Sequence, residues 1–351
     1  ANAIGGPDEI RFESTLFGSD RVLELSQGEL RVTDSLEVIG QGLHLTTLLG
    51  NGASRIIRFD APEGDLTLRD LTLRGGRSSA DDISGSTSGG AVHFESSGRL
   101  LLDSVALVDN RVSGVGARGG AIFVGSGDLE IDRSFLTNNS TSGVDGRGGA
   151  VFVANGALAI RDSKISENQT EEDGAKGGAV FGGHVTIERS KVTGNQTTGR
   201  SSDGGAIFST QNLSLTDSAV TGNRSLGSES DGGGVFASDV LSLVRSDVSG
   251  NETLGRYAAG GGLAFDSAVV TITDSSITNN RTNGEFARAR NFCGAERCHD
   301  HEQHVVDERC RRRFNGWWRH RRFLFRCGVD LYDGDRECGC RQRWWHCLHE
   351  R

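Results

Sequence analysis

Through residue 286 the chain contains neither cysteine nor tryptophan, and the whole sequence of 351 residues has no methionine and only two prolines. A cysteine-free body carries no disulfide framework and gives no evidence of redox compartment. No apolar run approaches the ~18–20 residues that a bilayer-spanning helix needs. An initiator methionine and a signal peptide are both missing, so the sequence is expected to be a fragment or a processed form. Amphipathic helices are missing too, because the apolar residues recur with period two in segments too short for helices.

What is present changes character near residue 286. Up to that point the chain is acidic, with 23 basic residues against 37 acidic ones. From Phe286 onward come all seven cysteines, all four tryptophans, six of the nine histidines, and 15 arginines against 10 acids. No single folded domain changes composition so abruptly. The chain is therefore divided into irregular early turns (1–88), a regular array (89–286) and an Arg/Cys/Trp-rich tail (287–351).

The regular array repeats two motifs in register. A glycine pair opens "GGAVHF" at Gly89, "GGAIFV" at Gly119, "GGAVFV" at Gly148 and "GGAVFG" at Gly177. "GGAIFS" follows at Gly204, "GGGVFA" at Gly232 and "GGGLAF" at Gly260, with intervals of 30, 29, 29, 27, 28 and 28. Each unit also carries an apolar-x-x-Asn element, ending at Asn110, Asn139, Asn168, Asn195, Asn223, Asn251 and Asn280. From each of the first six of these asparagines to the next glycine pair is always nine residues.

Short period-two strands repeated about every 28 residues, with no hairpin signal, predict an all-β fold, a right-handed parallel β-helix. About ten turns at ~4.8 Å each would make a rod roughly 45–50 Å long. One turn cannot bury its own inward face, so only the stack is stable. The asparagines are expected to point inward and bond from turn to turn. The glycine pairs fit corners needing positive φ or close backbone approach. Phe94, Phe123, Phe152, Phe181, Phe208 and Phe236 are expected to share one stacked, buried position.

The paired GGA[IV] and apolar-x-x-Asn motifs of 89–288 resemble the repeats of polymorphic outer membrane proteins, bacterial surface β-helices. The opening "ANAIGGPDEIRF", with "LELSQGELRVTDSLEVIGQG" after it, is similar to large bacterial secreted proteins of the CSLREA type. These resemblances imply an extracellular or outer-surface location and name no catalytic residue.

Two readings of the tail compete. Cys293, Cys298, His299, His301, Cys310, Cys327, Cys338, Cys340 and Cys347 could make a metal module, but their spacings do not follow the paired C-x₂₋₄-C pattern of structural zinc. The alternative is translation out of frame, because tryptophan has the single codon TGG and TGG-TGG shifted by one nucleotide reads Gly-Gly. Trp317-Trp318 lies 57 residues, or two units, after Gly260, and Trp344-Trp345 lies 27 further on. Both pairs thus fall on the glycine ladder. The tail is then expected to be non-homologous and unpacked, leaving the last turn near 280 with an open sheet edge.

Function is less legible. Asp81-Asp82 and Glu171-Glu172-Asp173 read as solvated loop acids, and His44, His93 and His184 as isolated structural or surface residues. The residues before successive glycine pairs are Arg118, Arg147, Lys176, Asp203 and Asp231. They form a charged column that could meet an acidic ligand, although a solvated edge would look the same. The variable nine-residue segments, such as "RVSGVGAR" and "QTEEDGAK", are expected to make a recognition face. The expected function is a non-enzymatic surface or secreted β-helix: an adhesin, passenger or spacer whose partners are surface glycans or other cell-surface components, not nucleic acid. A polysaccharide lyase or glycoside hydrolase on a pectate-lyase-like helix is the alternative. No cofactor is expected; calcium stays open as an alternative without a ligand pattern to support it. Sequencing the gene across codons 280–290 should reveal a one-nucleotide shift, and an intact frame there would overturn the out-of-frame reading.

Overall fold

A computed structural model describes residues 8–79, 87–266 and 269–283, together with the backbone of strands at 298–299, 305–314 and 317–326. The described chain is almost entirely β, with one four-residue helix, Ser14–Phe17. It winds as a parallel β-helix, and the turn that starts at Gly148 shows the plan. Strands Val151–Val153, Ala157–Arg161, Lys164–Ser166 and Gln169–Glu171 follow one another around the coil. Each pairs in parallel with its counterpart in the turn before and the turn after. The Ala157 column begins with Asp8–Arg11 and runs through ten strands to Val269–Thr273.

Strand alternation puts Val151, Val153, Leu158, Ile160 and Ile165 inside, all at most 1% exposed. Equivalent positions in the other turns build one continuous apolar core. The glycine pair closes each corner for two separate reasons. Gly148 has φ +67, which disfavours any side chain. Gly149 has ordinary φ, but a Cβ there would lie 2.0 Å from the carbonyl oxygen of Gly178 in the next turn.

The asparagines point inward as expected. Asn139 donates from its backbone N–H and from Nδ2 to Oδ1 of Asn168, at 2.9 and 3.0 Å. Its Nδ2 also donates to the Leu107 carbonyl at 2.9 Å. The pattern runs unbroken from Asn110 to Asn280, and the Gly76 N–H caps its first member. Every ladder asparagine is fully buried. A parallel serine ladder lines another corner, where the N–H groups of Ser134, Ser163, Ser190, Ser218 and Ser246 each donate to the serine hydroxyl one turn on.

Two expectations need correction. The aromatic column lies outside the main core, as its own cluster of Phe123, Phe152, Phe181 and Phe208 with Phe236 packed against it. Phe94 is not a member, because it pairs with Val124 and faces the core, while His93 pairs with Phe123. The phenylalanine of "GGAVHF" stands one residue later than that of "GGAIFV", with the strands in register, and successive strand residues point to opposite faces.

The tail is also paired where it is described. Strand 305–314 lies parallel to Ser276–Asn283, with Glu308 opposite Asn280, and 317–326 folds back antiparallel on it. The sheet edge near 280 is therefore covered, because unpaired backbone groups accept any extended segment regardless of side chains. Of the tail's candidate metal ligands, Cys298, His299 and Cys310 fall in these strands, and the others lie outside the described residues.

Replacing one buried amide should remove a hydrogen bond from several groups at once. Asn168→Ala strips the Asn139 N–H and Nδ2, the Leu136 carbonyl and Asn195 Oδ1 of a partner. A loss on the order of 3 kcal/mol is expected, read as a lower urea midpoint and as new protease cleavage near this turn. Wild-type stability in Asn168→Ala would mean the ladder is dispensable.

Candidate functional site

The aromatic column forms an outer edge of the helix. His93, Phe123, Phe152, Phe181, Phe208 and Phe236 stack with ring centroids 4.9, 5.6, 5.1, 5.3 and 4.9 Å apart and interplanar angles of 11° or less. Position and spacing both follow from the strand register, since each ring sits opposite its counterpart.

The charged residues before the glycine pairs lie on these rings. Ser88, Arg118, Arg147 and Lys176 are linked by parallel backbone bridges. Each cation covers the ring of the following turn: Arg118 over Phe152 at 5.2 Å, Arg147 over Phe181 at 5.1 Å and Lys176 over Phe208 at 4.7 Å. Such contacts contribute about 0.5–1 kcal/mol at exposed sites, comparable to the repulsion between neighbouring like charges in water. Among the described residues, Arg118 and Arg147 have no carboxylate within ion-pair distance. Lys176 is shared with Asp203 at 3.6 Å.

At Asp203 the row changes sign. Asp203 accepts the Asp231 N–H at 2.9 Å, and Asp231 accepts the Ala259 N–H at 2.7 Å. Burial raises the Asp203 carboxyl, outweighing the Asp231 N–H and the Lys176 charge. The aromatic column ends nearby, with Phe236 only partly buried and Ala264 in the next place. The five charges singled out in the sequence thus divide into three cations laid on rings and two acids tied to backbone.

Upstream of the cations the column meets a polar cluster that the sequence did not reveal. Arg58 pairs with Asp60 at 2.9 Å, and Arg31 reaches the same carboxylate at 2.9 Å. His93, 3% exposed, shares a 3.0 Å hydrogen bond with the Ser88 hydroxyl, and its Nε2 lies 3.8 Å from Glu95. The buried Arg55 pairs with Glu29 at 2.8 Å nearby. Burial, reinforced by the charges of Arg55 and Arg58, depresses His93 to about 4. Burial and the Asp60 charge raise Glu95. The cluster was hidden because Arg58, Asp60 and His93 are brought together only by pairing across about 35 residues.

Another charged column is self-contained. The residues before the ladder serines are Arg133, Asp162, Arg189, Asp217, Arg245 and Asp274, all in left-handed backbone. Asp162–Arg189 and Asp217–Arg245 form paired contacts at 2.8 and 2.7 Å. An open groove of about 530 Å³ along this corner is lined by Arg189, Asp217, Arg245 and Asp274 with Lys191 and Asp247. The Arg/Asp alternation is visible in the sequence and could have been found there.

Glu171 lies 3.4 Å from Arg111, and Asp173 accepts the Arg200 N–H at 2.8 Å. Asp81 and Asp82 lie outside the described residues. No group of three or more His, Cys, Asp or Glu is placed to hold a metal ion among the described residues. None of their helices is long and apolar enough to cross a membrane.

No family model matches the chain, and no curated protein does. Two solved structures are similar to it. One is the A-module of a mannuronan C-5 epimerase from Azotobacter vinelandii, 10% identical, with a TM-score of 0.34 over 85% of this chain and 91% of that one. The other is ORF18 of Geobacillus virus E2, 8% identical, with a TM-score of 0.30 over 91% of this chain and 57% of that one. At these TM-scores neither bears on what this chain binds or does.

The His93 shift fixes a pH dependence. Above about pH 6.5 the ring is neutral in folded and unfolded chain alike, and its contribution is fully retained. As pH falls toward about 4 the unfolded chain takes up the proton first, so folding stability declines across that window. His93→Phe, which extends the ring column, should flatten that part of the decline in urea midpoints. An equally steep decline in the variant would assign the titration to other groups.

Proposed function

We propose that the chain is a non-enzymatic extracellular β-helix that holds an acidic glycan along Arg118, Arg147 and Lys176, in an adhesive or spacer role at a bacterial surface. One observation carries the binding part of this reading: a like-charged row on the outer edge that the fold does not require. The serine-corner column avoids repulsion by alternating arginine and aspartate. The cation row does not alternate, and two of its three members lack a carboxylate partner among the described residues. Packing against phenylalanine holds their heads in place, which lowers the ordering cost of meeting a ligand. The body around them is acidic, so a polyanion is repelled elsewhere and drawn to this row. Location at the surface rests on the resemblance of the paired repeat motifs to surface and secreted β-helices.

A second reading has its own support. Asp60, Glu95 and His93 gather one turn before the cations, and Glu95 is the half-exposed member, its carboxyl raised by burial and by the Asp60 charge. A raised carboxyl beside a lowered one is an arrangement used in glycan cleavage. That would make the chain a polysaccharide lyase or glycoside hydrolase.

One set of measurements separates the two. Polygalacturonate should bind without being cleaved, and Arg118→Gln with Arg147→Gln should weaken binding at least about tenfold while leaving the urea midpoint unchanged. Release of unsaturated or newly reducing ends, lost in Glu95→Gln, would replace binding by the enzymatic reading.

A further inference from the structure

We infer that the serine corner is a self-association surface, on which a second copy of this chain docks side by side and antiparallel, charge on opposite charge. The inference is independent of the glycan reading, because it uses a different corner of the rod and leaves Arg118, Arg147 and Lys176 open.

Arg133, Asp162, Arg189, Asp217, Arg245 and Asp274 stand in one column, all in left-handed backbone. The N–H groups of the first five each donate to the neighbouring turn, which holds the column at the strand interval. The six signs alternate, and an alternating row of even number is complementary to itself when reversed. A two-fold axis across the rod, between the turns of Arg189 and Asp217, sets Arg189 opposite Asp217 of the second copy. The same axis sets Asp162 opposite Arg245 and Arg133 opposite Asp274. The intervals match by symmetry, since both faces are the same column. Parallel rods in register would set arginine on arginine and aspartate on aspartate, and such contacts are repulsive.

A second column obeys the same axis. Strand register puts Phe135, Lys164, Lys191, Ala219, Asp247 and Ser276 in line on the other side of the ladder serines. Each stands two residues after its counterpart in the first column. Reversal sets Lys164 opposite Asp247 and opposes no like charges. Among the described residues, Lys164, Lys191 and Asp247 have no ion-pair partner within their own rod.

The paired heads keep room for a further partner. The Asp162–Arg189 and Asp217–Arg245 contacts each use two N–H groups, and these four side chains remain 40–54% exposed. A guanidinium has five N–H donors and a carboxylate about four acceptor sites, so facing contacts add to the pairs within the rod. Exposed ion pairs contribute at most about 1 kcal/mol each, so the dimer is reversible and sensitive to salt.

The test is sedimentation velocity on the full chain under reducing conditions, at about 0.02 M and about 0.5 M salt. A dimer is expected at the lower salt and a monomer at the higher. Two double variants preserve the pairs within the rod with reversed sense: Asp162→Arg with Arg189→Asp, and Asp217→Arg with Arg245→Asp. Both residue types already occupy left-handed backbone in this column, so wild-type urea midpoints are expected. Each variant opposes like charges at the four central positions and should dimerise at least about tenfold more weakly. Mixed in equal amounts, the two variants are complementary at every position, and the dimer should return. Lys164→Glu, which breaks no pair within the rod, should weaken the wild-type dimer several-fold. A wild type that is monomeric at low salt overturns the inference. So do double variants or Lys164→Glu that dimerise like the wild type, and a mixture of folded variants that stays monomeric.

Discussion

Every residue of a regular β-helix must tolerate a copy of its own position one strand spacing away. That requirement selects the residue types in this chain. Apolar side chains meet it by packing, which builds the continuous core. A buried polar side chain meets it only if it can both donate to and accept from its own kind. Asparagine and serine can, and they occupy the two buried corners. Phenylalanine meets it by parallel stacking on the outer edge. Gly149 and its equivalents lie where even a methyl group would strike the next turn.

Charge is the property least able to satisfy this rule, and the chain deals with it in two ways. At the serine corner, arginine and aspartate alternate, so each side chain has an opposite sign beside it. At the glycine corner three cations follow one another, each resting on a ring of the next turn. The first arrangement balances itself. The second leaves positive charge facing outward on an acidic body, which is why this edge is the strongest candidate for recognition.

Much of this was readable because stacking forces repetition. The glycine pairs, the fixed nine-residue interval and the asparagine column together specify the fold, and the buried ladder follows from Asn110 to Asn280. The side to which the rings turn was not readable from composition alone. Phe94 and His93 are neighbours in sequence, yet one faces the core and the other the outer edge, and the choice depends on a single residue of register. The Arg58–Asp60–His93–Glu95 cluster escaped notice for another reason: it lies where the repeat is least regular, and only pairing across turns assembles it. The charged column was legible as a list of residues, but its phenylalanine support became visible only in three dimensions. The tail's pairing was missed because backbone hydrogen bonding makes no demand on composition.

The hydrogen bonds of the ladders run along the rod, from each turn to the next. A pull applied between the two ends of the rod therefore loads those bonds along their length, and it loads the outermost turn first. Extension would proceed by peeling single turns, each a unit of about 28 residues that releases roughly 100 Å of chain when straightened. The turns still folded keep their own ladders intact, because each contacts only its neighbours. A rod of this construction yields under tension in uniform steps, and it can lengthen many times over before its central turns are disturbed.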